Sequence, residues 1–93
     1  MNIKLTQICS DKPEFVAEVH VNICLDPSYV YEIFRTAEPF KTVSFFRTIG
    51  VVRAKYQNKS VMIFKNGKIT VNSVKKLSEA SDIMRMIFRT LDI

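Results

Sequence analysis

Apolar and polar residues alternate without interruption from Phe15 to Ile23. Phe15, Ala17, Val19, Val21 and Ile23 fall on one side of an extended chain, with Glu18, His20 and Asn22 on the other. Successive side chains of a strand point to opposite faces, so this run predicts a strand with one buried side. A shorter strand is predicted over residues 2–9, where Ile3 and Leu5 alternate with Lys4 and Thr6 until Asp11-Lys12-Pro13 breaks the chain. The period then changes. Asp26 supplies an N-cap acceptor and Pro27 a first helical residue, and Val30, Ile33, Phe34 and Ala37 recur at helical spacing. The helix is predicted to run to about Ala37, with Pro39 preventing extension.

β-Branched and aromatic residues dominate the chain beyond Pro39. Val43–Ile49 and Val51–Tyr56 read as strands separated by Gly50, and Gln57-Asn58-Lys59 turns the chain into Ser60–Phe64. Lys65-Asn66-Gly67 turns it again into Lys68–Val74. Ser78 is placed as the cap of a last helix, in which Ala80, Ile83, Met84, Ile87, Phe88 and Leu91 form an apolar stripe that reads as core. The predicted fold is α+β, a curved antiparallel β-sheet with two helices on one face.

The hairpin between Ser60 and Val74 has two possible registers. A two-residue Asn66-Gly67 loop, the commonest reading of that pair, puts Met62 and Phe64 in the core and Val61 and Ile63 outside. A three-residue loop with Gly67 left-handed pairs Phe64 with Lys68 and buries Val61, Ile63, Ile69 and Val71 together. A one-residue slip exchanges every side chain between faces. The second register gives the cleaner buried set, and it leaves Met62, Phe64, Lys68, Thr70 and Asn72 on a face that no helix covers.

Charge changes the picture of that face. Between Lys41 and Lys76 there are nine basic side chains (Lys41, Arg47, Arg53, Lys55, Lys59, Lys65, Lys68, Lys75 and Lys76) and no acidic one. The remainder holds all nine carboxylates against five Lys or Arg, so a net charge of +5 conceals a segment of +9 beside a remainder of −4. A basic, β-rich stretch interleaved with the aromatic pair Phe45-Phe46 fits a polyanion, although a solvated lysine face is the competing account.

The 93 residues are read as one small domain, with residues 1–13 an extra N-terminal strand and turn. A chain of this size buries a limited core, which makes a homodimer an expectation worth testing. No apolar run approaches the ~20 residues of a membrane span, and the N-terminus lacks a signal-peptide core. Cys9 and Cys24 read as two buried thiols or one bridge, and reduced thiols in a cytoplasmic or nuclear protein are the expectation. His20 is the only histidine, the cysteines lack metal spacing, and there is no glycine-rich phosphate loop. Glu14 and Glu18 share a strand face but read as ordinary surface carboxylates. Neither an enzyme nor a bound cofactor or metal is therefore expected.

Several stretches together resemble one repeat of the TATA-box-binding protein family. Phe15-Val16-Ala17-Glu18-Val19 with Leu25-Asp26 is similar to that repeat's first strand and helix start, and Thr36-Ala37-Glu38 to its helix end. Met62-Ile63-Phe64 followed by Asn66-Gly67-Lys68-Ile69 resembles its hairpin, and Ser78-Glu79-Ala80-Ser81 the opening of its long helix. The likeness covers about residues 15–91. It implies a concave sheet pressed on a bent minor groove, with phenylalanine wedges between base steps and basic residues on phosphates. Carried over by position, Phe64 is one wedge and Phe45 or Phe46 the other. Arg53 and Lys68 become backbone contacts, and His20, Thr70 and Asn72 occupy base-edge positions. One repeat needs a second half, from a homodimer or a protein partner. Glu18 falls on the same implied face, where phosphate would repel it, and the chain is two or three residues longer than the family pattern between Glu38 and Phe64.

Three functions are compatible with these residues. The leading one is a non-catalytic nucleic-acid-binding domain, DNA ahead of RNA, acting as a dimer. The second is a protein-interaction module or a small dimerising subunit of a larger assembly, such as a tRNA-modification complex. The third, a ligand cavity in a helix-grip arrangement, requires several hundred cubic ångströms beneath the sheet.

Overall fold

Asp26 sets the first helix in place. Its carboxylate accepts a hydrogen bond from the Ser28 N–H at 3.0 Å, and Pro27 is the first helical residue, where its missing N–H costs nothing. A computed structural model describes residues 2–7 and 14–93, and in it the chain runs β1 (Lys4–Gln7), β2 (Phe15–His20), α1 (Pro27–Thr36), β3 (Phe40–Phe46), β4 (Val51–Tyr56), β5 (Lys59–Phe64), β6 (Lys68–Val74) and α2 (Leu77–Leu91). The six strands form one antiparallel sheet in the order β1-β2-β6-β5-β4-β3. The expected α+β class with an antiparallel sheet and two helices is what the structure contains.

Both helices lie against the same side of the sheet. Val30 and Phe34 of α1 and Ala80, Ile83, Met84, Ile87 and Leu91 of α2 share one buried cluster with Ala17, Val19, Val52, Ala54, Val61, Ile63, Ile69 and Val71 from the strands. Phe34 stacks on Phe40 with ring centroids 4.2 Å apart and planes inclined by 6°. Burying a side chain of this kind contributes roughly 1.5–3 kcal/mol, so this cluster is the main source of stability.

The β5–β6 hairpin takes the three-residue loop. Val61 pairs with Val71 and Ile63 with Ile69, and all four are fully buried. Gly67 has φ +97°, its N–H donates to the Phe64 carbonyl at 3.0 Å, and the Asn66 side chain accepts from the Lys68 N–H at 3.0 Å. The loop is also tied to the connection between β2 and α1. Val21 N–H donates to the Gly67 carbonyl and Leu25 N–H to the Lys65 carbonyl, each at 2.9 Å. A Cβ at position 67 would collide with the carbonyl oxygens of Val21 and Ile23, so glycine is required there twice over.

Several element boundaries differ from those the sequence suggests. β3 begins at Phe40, which packs under α1, and ends at Phe46; Arg47–Gly50 is a turn, not a continuation to Ile49. α2 begins at Leu77 with Lys76 as N-cap, so Ser78 lies inside the first turn and does not cap it. No side chain caps α2; instead the Glu79 carboxylate reaches back past the N-cap and accepts from the Lys75 N–H at 3.0 Å, tying the incoming chain to the first turn. β2 ends at His20, and Ile23 is exposed beyond it. At the other end of the sheet, β3 carries a register shift between Lys41 and Ser44 with Thr42 at φ +51°. This bulge bends a free edge strand.

Candidate functional site

The side of the sheet opposite the helices is an open face, and the strand registers order its side chains into three rows about 7 Å apart. The central row runs Lys4, Glu18, Thr70, Met62, Arg53 and Ser44 across all six strands. Toward the β5–β6 loop lies a row with His20 opposite Lys68, and Phe64 opposite Val51, which is opposite Phe46. Toward the other end lies a row with Ser60 opposite Lys55 and Lys55 opposite Lys41. Among the described strand residues, this face carries the cations Lys4, Lys41, Arg53, Lys55 and Lys68 against one carboxylate, Glu18.

Each predicted site residue has a definite place in this frame. Arg53, Phe64, Lys68, Thr70, Asn72, His20 and Phe46 all share the open face. Phe45 does not. It pairs with Val52 and turns to the helix layer, where its ring lies 5.9 Å from Tyr31. The reason is parity: once Phe46 faces outward opposite Val51, its neighbour must face inward. Of the two candidate partners for Phe64, Phe46 is therefore the one on the same surface, and it is 43% exposed.

The polar members are held by specific contacts. Lys68 lies with its ammonium 5.2 Å from the centre of the Phe64 ring and 3.7 Å from a Glu18 oxygen. Asn72 is not a free amide, since its side-chain oxygen accepts the Ser60 N–H. Ser60, only 8% exposed, has its hydroxyl oxygen contacted by two cations: Lys55 Nζ donates to it at 3.0 Å and Arg53 Nη2 lies 3.4 Å away. These contacts bring Arg53, Lys55, Ser60 and Asn72 into one polar cluster at the end of the face.

Lys41, Lys55 and Ser60 belong to this surface, although the sequence reading named the two lysines only as members of the basic stretch and placed none of the three on the open face. The signal was present in the alternation of Val51, Arg53 and Lys55 and of Ser60, Met62 and Phe64, which puts each triplet on one face. Lys59 goes the other way. It is 6% exposed, and its ammonium lies 3.7 Å from Glu79, so it braces the start of α2 and contributes no charge to the open face.

Apolar surface accompanies the basic residues. Phe46, Ile49, Arg53, Ser60, Met62 and Asn72 line a shallow groove of about 320 Å³. Ile49, in the turn after β3, is 66% exposed. Cys24 is exposed on the β2–α1 connection, whereas Cys9 lies outside the described residues. Among the described residues no group of three or more His, Cys, Asp or Glu side chains is arranged to hold a metal ion, and no helix is long and apolar enough to cross a membrane. Comparison with protein-family models, with curated proteins and with solved structures finds no match to this chain.

Proposed function

We propose that this chain is a non-catalytic nucleic-acid-binding domain that works through the helix-free face of its sheet. The observation that carries this reading is the composition of that face: Lys4, Lys41, Arg53, Lys55 and Lys68 against Glu18, interleaved with Phe46, Met62 and Phe64. Cations give sequence-independent attraction to phosphate, and aromatic rings give bases a surface to stack on. The order strand, helix, four strands, helix is in keeping with the resemblance to a TATA-box-binding-protein repeat. In that reading two copies, or one copy and a protein partner, set their sheets side by side. DNA is favoured over RNA because the face is a broad sheet with apolar wedges of the kind that enter a minor groove.

Binding of a labelled duplex and a labelled single strand, measured by fluorescence anisotropy from 50 to 300 mM salt, tests this. Log affinity should fall linearly with log salt, at about 0.9 per neutralised phosphate on duplex DNA and about 0.7 on a single strand. Affinity indifferent to salt, or no binding at the lowest salt, would remove the reading. Sedimentation of the protein alone and with DNA reports whether a second copy joins.

Protein docking is the second reading, and Ile49 and Phe46 favour it, since both are exposed beside the same groove. A small dimerising subunit of a larger assembly, for instance one that modifies tRNA, would use such a patch. A complex that persists at high salt and buries Phe46 and Ile49 would replace the nucleic-acid reading with this one.

A further inference from the structure

Lys41 and Lys55 are direct cross-strand partners on the open face. Like charges at such positions repel and destabilise the strand pair. No carboxylate stands in the adjoining positions of that row or the next: Lys55 faces Ser60, and Arg53 lies between Ser44 and Met62. The repulsion is thus left uncompensated within the sheet.

Ser60 explains how the cluster is shaped. Ammonium and guanidinium groups only donate hydrogen bonds, so both Lys55 and Arg53 approach the Ser60 oxygen as an acceptor. Neither contact uses the hydroxyl proton. The backbone of Ser60 is fixed independently, because its N–H donates to the Asn72 side chain. A buried serine held in this way presents an O–H between two cations, with Lys41 supplying a third charge from the neighbouring strand. That is a convergent set of donors with a strong positive field.

We propose that Lys41, Arg53, Lys55 and the Ser60 hydroxyl form a seat for one phosphate group. An anionic oxygen would take the Ser60 proton as a hydrogen bond and stand against both lysines and the arginine, relieving the Lys41–Lys55 repulsion. Charge-assisted hydrogen bonds of this type are about twice as strong as neutral ones. Where the phosphate belongs to a nucleic-acid backbone, the seat rests on the function proposed above, and it then fixes the direction of the chain. The backbone enters at the Lys41–Lys55 end, and the bases extend past Met62 toward Phe64 and Phe46, two rows or about 14 Å away.

The test uses inorganic phosphate and a 16-nucleotide single strand as separate probes on the whole chain. Amide shifts recorded by NMR during phosphate titration, against chloride at equal ionic strength, should saturate at Ser60, Lys55 and Lys41. They should disappear in Lys41→Ala/Lys55→Ala, and Ser60→Ala should weaken binding by about tenfold, the size expected for one hydrogen bond to a charged group. Shifts that stay linear, or spread evenly over all lysines including Lys65 and Lys75, overturn the seat. In the oligonucleotide arm, Lys41→Ala/Lys55→Ala should lower the salt slope by about 1–2, while Lys75→Ala/Lys76→Ala leaves it within about 0.5. An unchanged slope in the first pair overturns the seat while leaving nucleic-acid binding intact. Saturable phosphate binding with no oligonucleotide binding upholds the seat and removes the function proposed above.

Discussion

Lys68 is shared between Glu18 and Phe64, its ammonium 3.7 Å from the carboxylate and 5.2 Å from the ring centre. The two contacts pull on one charge. Glu18 neutralises it, and the ring face holds it over the surface where a base would stack. The carboxylate is thus a partner of Lys68 as well as a source of repulsion for phosphate. Glu18→Gln should release Lys68 and remove that repulsion, raising affinity for a single strand about two- to fivefold, in line with a partly exposed ion pair worth about 0.2–1 kcal/mol. Unchanged or weaker binding would show that Glu18 orients Lys68 more than it masks it.

The two adjacent phenylalanines should separate stability from binding. Phe45 packs toward Tyr31 beneath the sheet, so Phe45→Ala is expected to cost about 2–4 kcal/mol in urea unfolding with little change in affinity per folded molecule. On the open face, Phe46→Ala and Phe64→Ala should do the reverse, each losing about 1–3 kcal/mol of single-strand binding with a small effect on stability. Equal effects from inward and outward rings would mean that the outward ones act through the fold.

Lys41→Gln sets stability against function. Removing one of two facing lysines should raise stability by roughly 0.2–1 kcal/mol, read as a higher urea midpoint, while affinity for phosphate falls. A loss of stability would indicate that Lys41 and Lys55 are not in effective repulsion.

Gly67→Ala should be among the most damaging single changes. The left-handed φ of +97° and the carbonyls of Val21 and Ile23 oppose any Cβ, and a loss of more than about 2 kcal/mol is expected from strain and displaced hydrogen bonds together. A near-neutral result would require the β2–α1 connection to move aside.

Glu79 and Lys59 should respond unequally. Lys59→Met replaces a nearly buried ammonium by an apolar chain of similar length. The Glu79 carboxylate it leaves is a third exposed and keeps the Lys75 N–H, so the variant is expected to stay within about 1 kcal/mol of the parent. Glu79→Ala removes the Lys75 N–H acceptor and leaves Lys59 without this carboxylate, and should cost about 1–3 kcal/mol.

Much of this architecture was legible from periodicity. The alternation of Phe15 to His20, the Asp26-Pro27 start and the buried set Val61, Ile63, Ile69 and Val71 are local patterns, and the last of these identified the correct loop at Gly67. The end of β3 was not legible. Val43 to Ile49 has strand-like composition throughout, but the bulge at Thr42 and the turn at Arg47 are fixed by Phe40 stacking on Phe34 and by pairing with β4, both tertiary effects. The same limit applied to Phe45 and Phe46, whose faces depend on that register. Lys59 looked like a turn residue because the partner of its buried ammonium, Glu79, lies twenty positions away in the chain. Ser60 had no motif, since its meaning comes from Asn72 on one neighbouring strand and Lys55 on the other.

The ties from Val21 to Gly67 and from Leu25 to Lys65 bear on how a ligand is met. They lock the loop beside Phe64 and Lys68 to the segment that launches the first helix, so that end of the open face cannot swing without dragging a helix cap with it. A surface so braced has little conformational freedom left to surrender on binding. Ligands should then differ chiefly in how long they stay, with arrival governed by charge and diffusion alone.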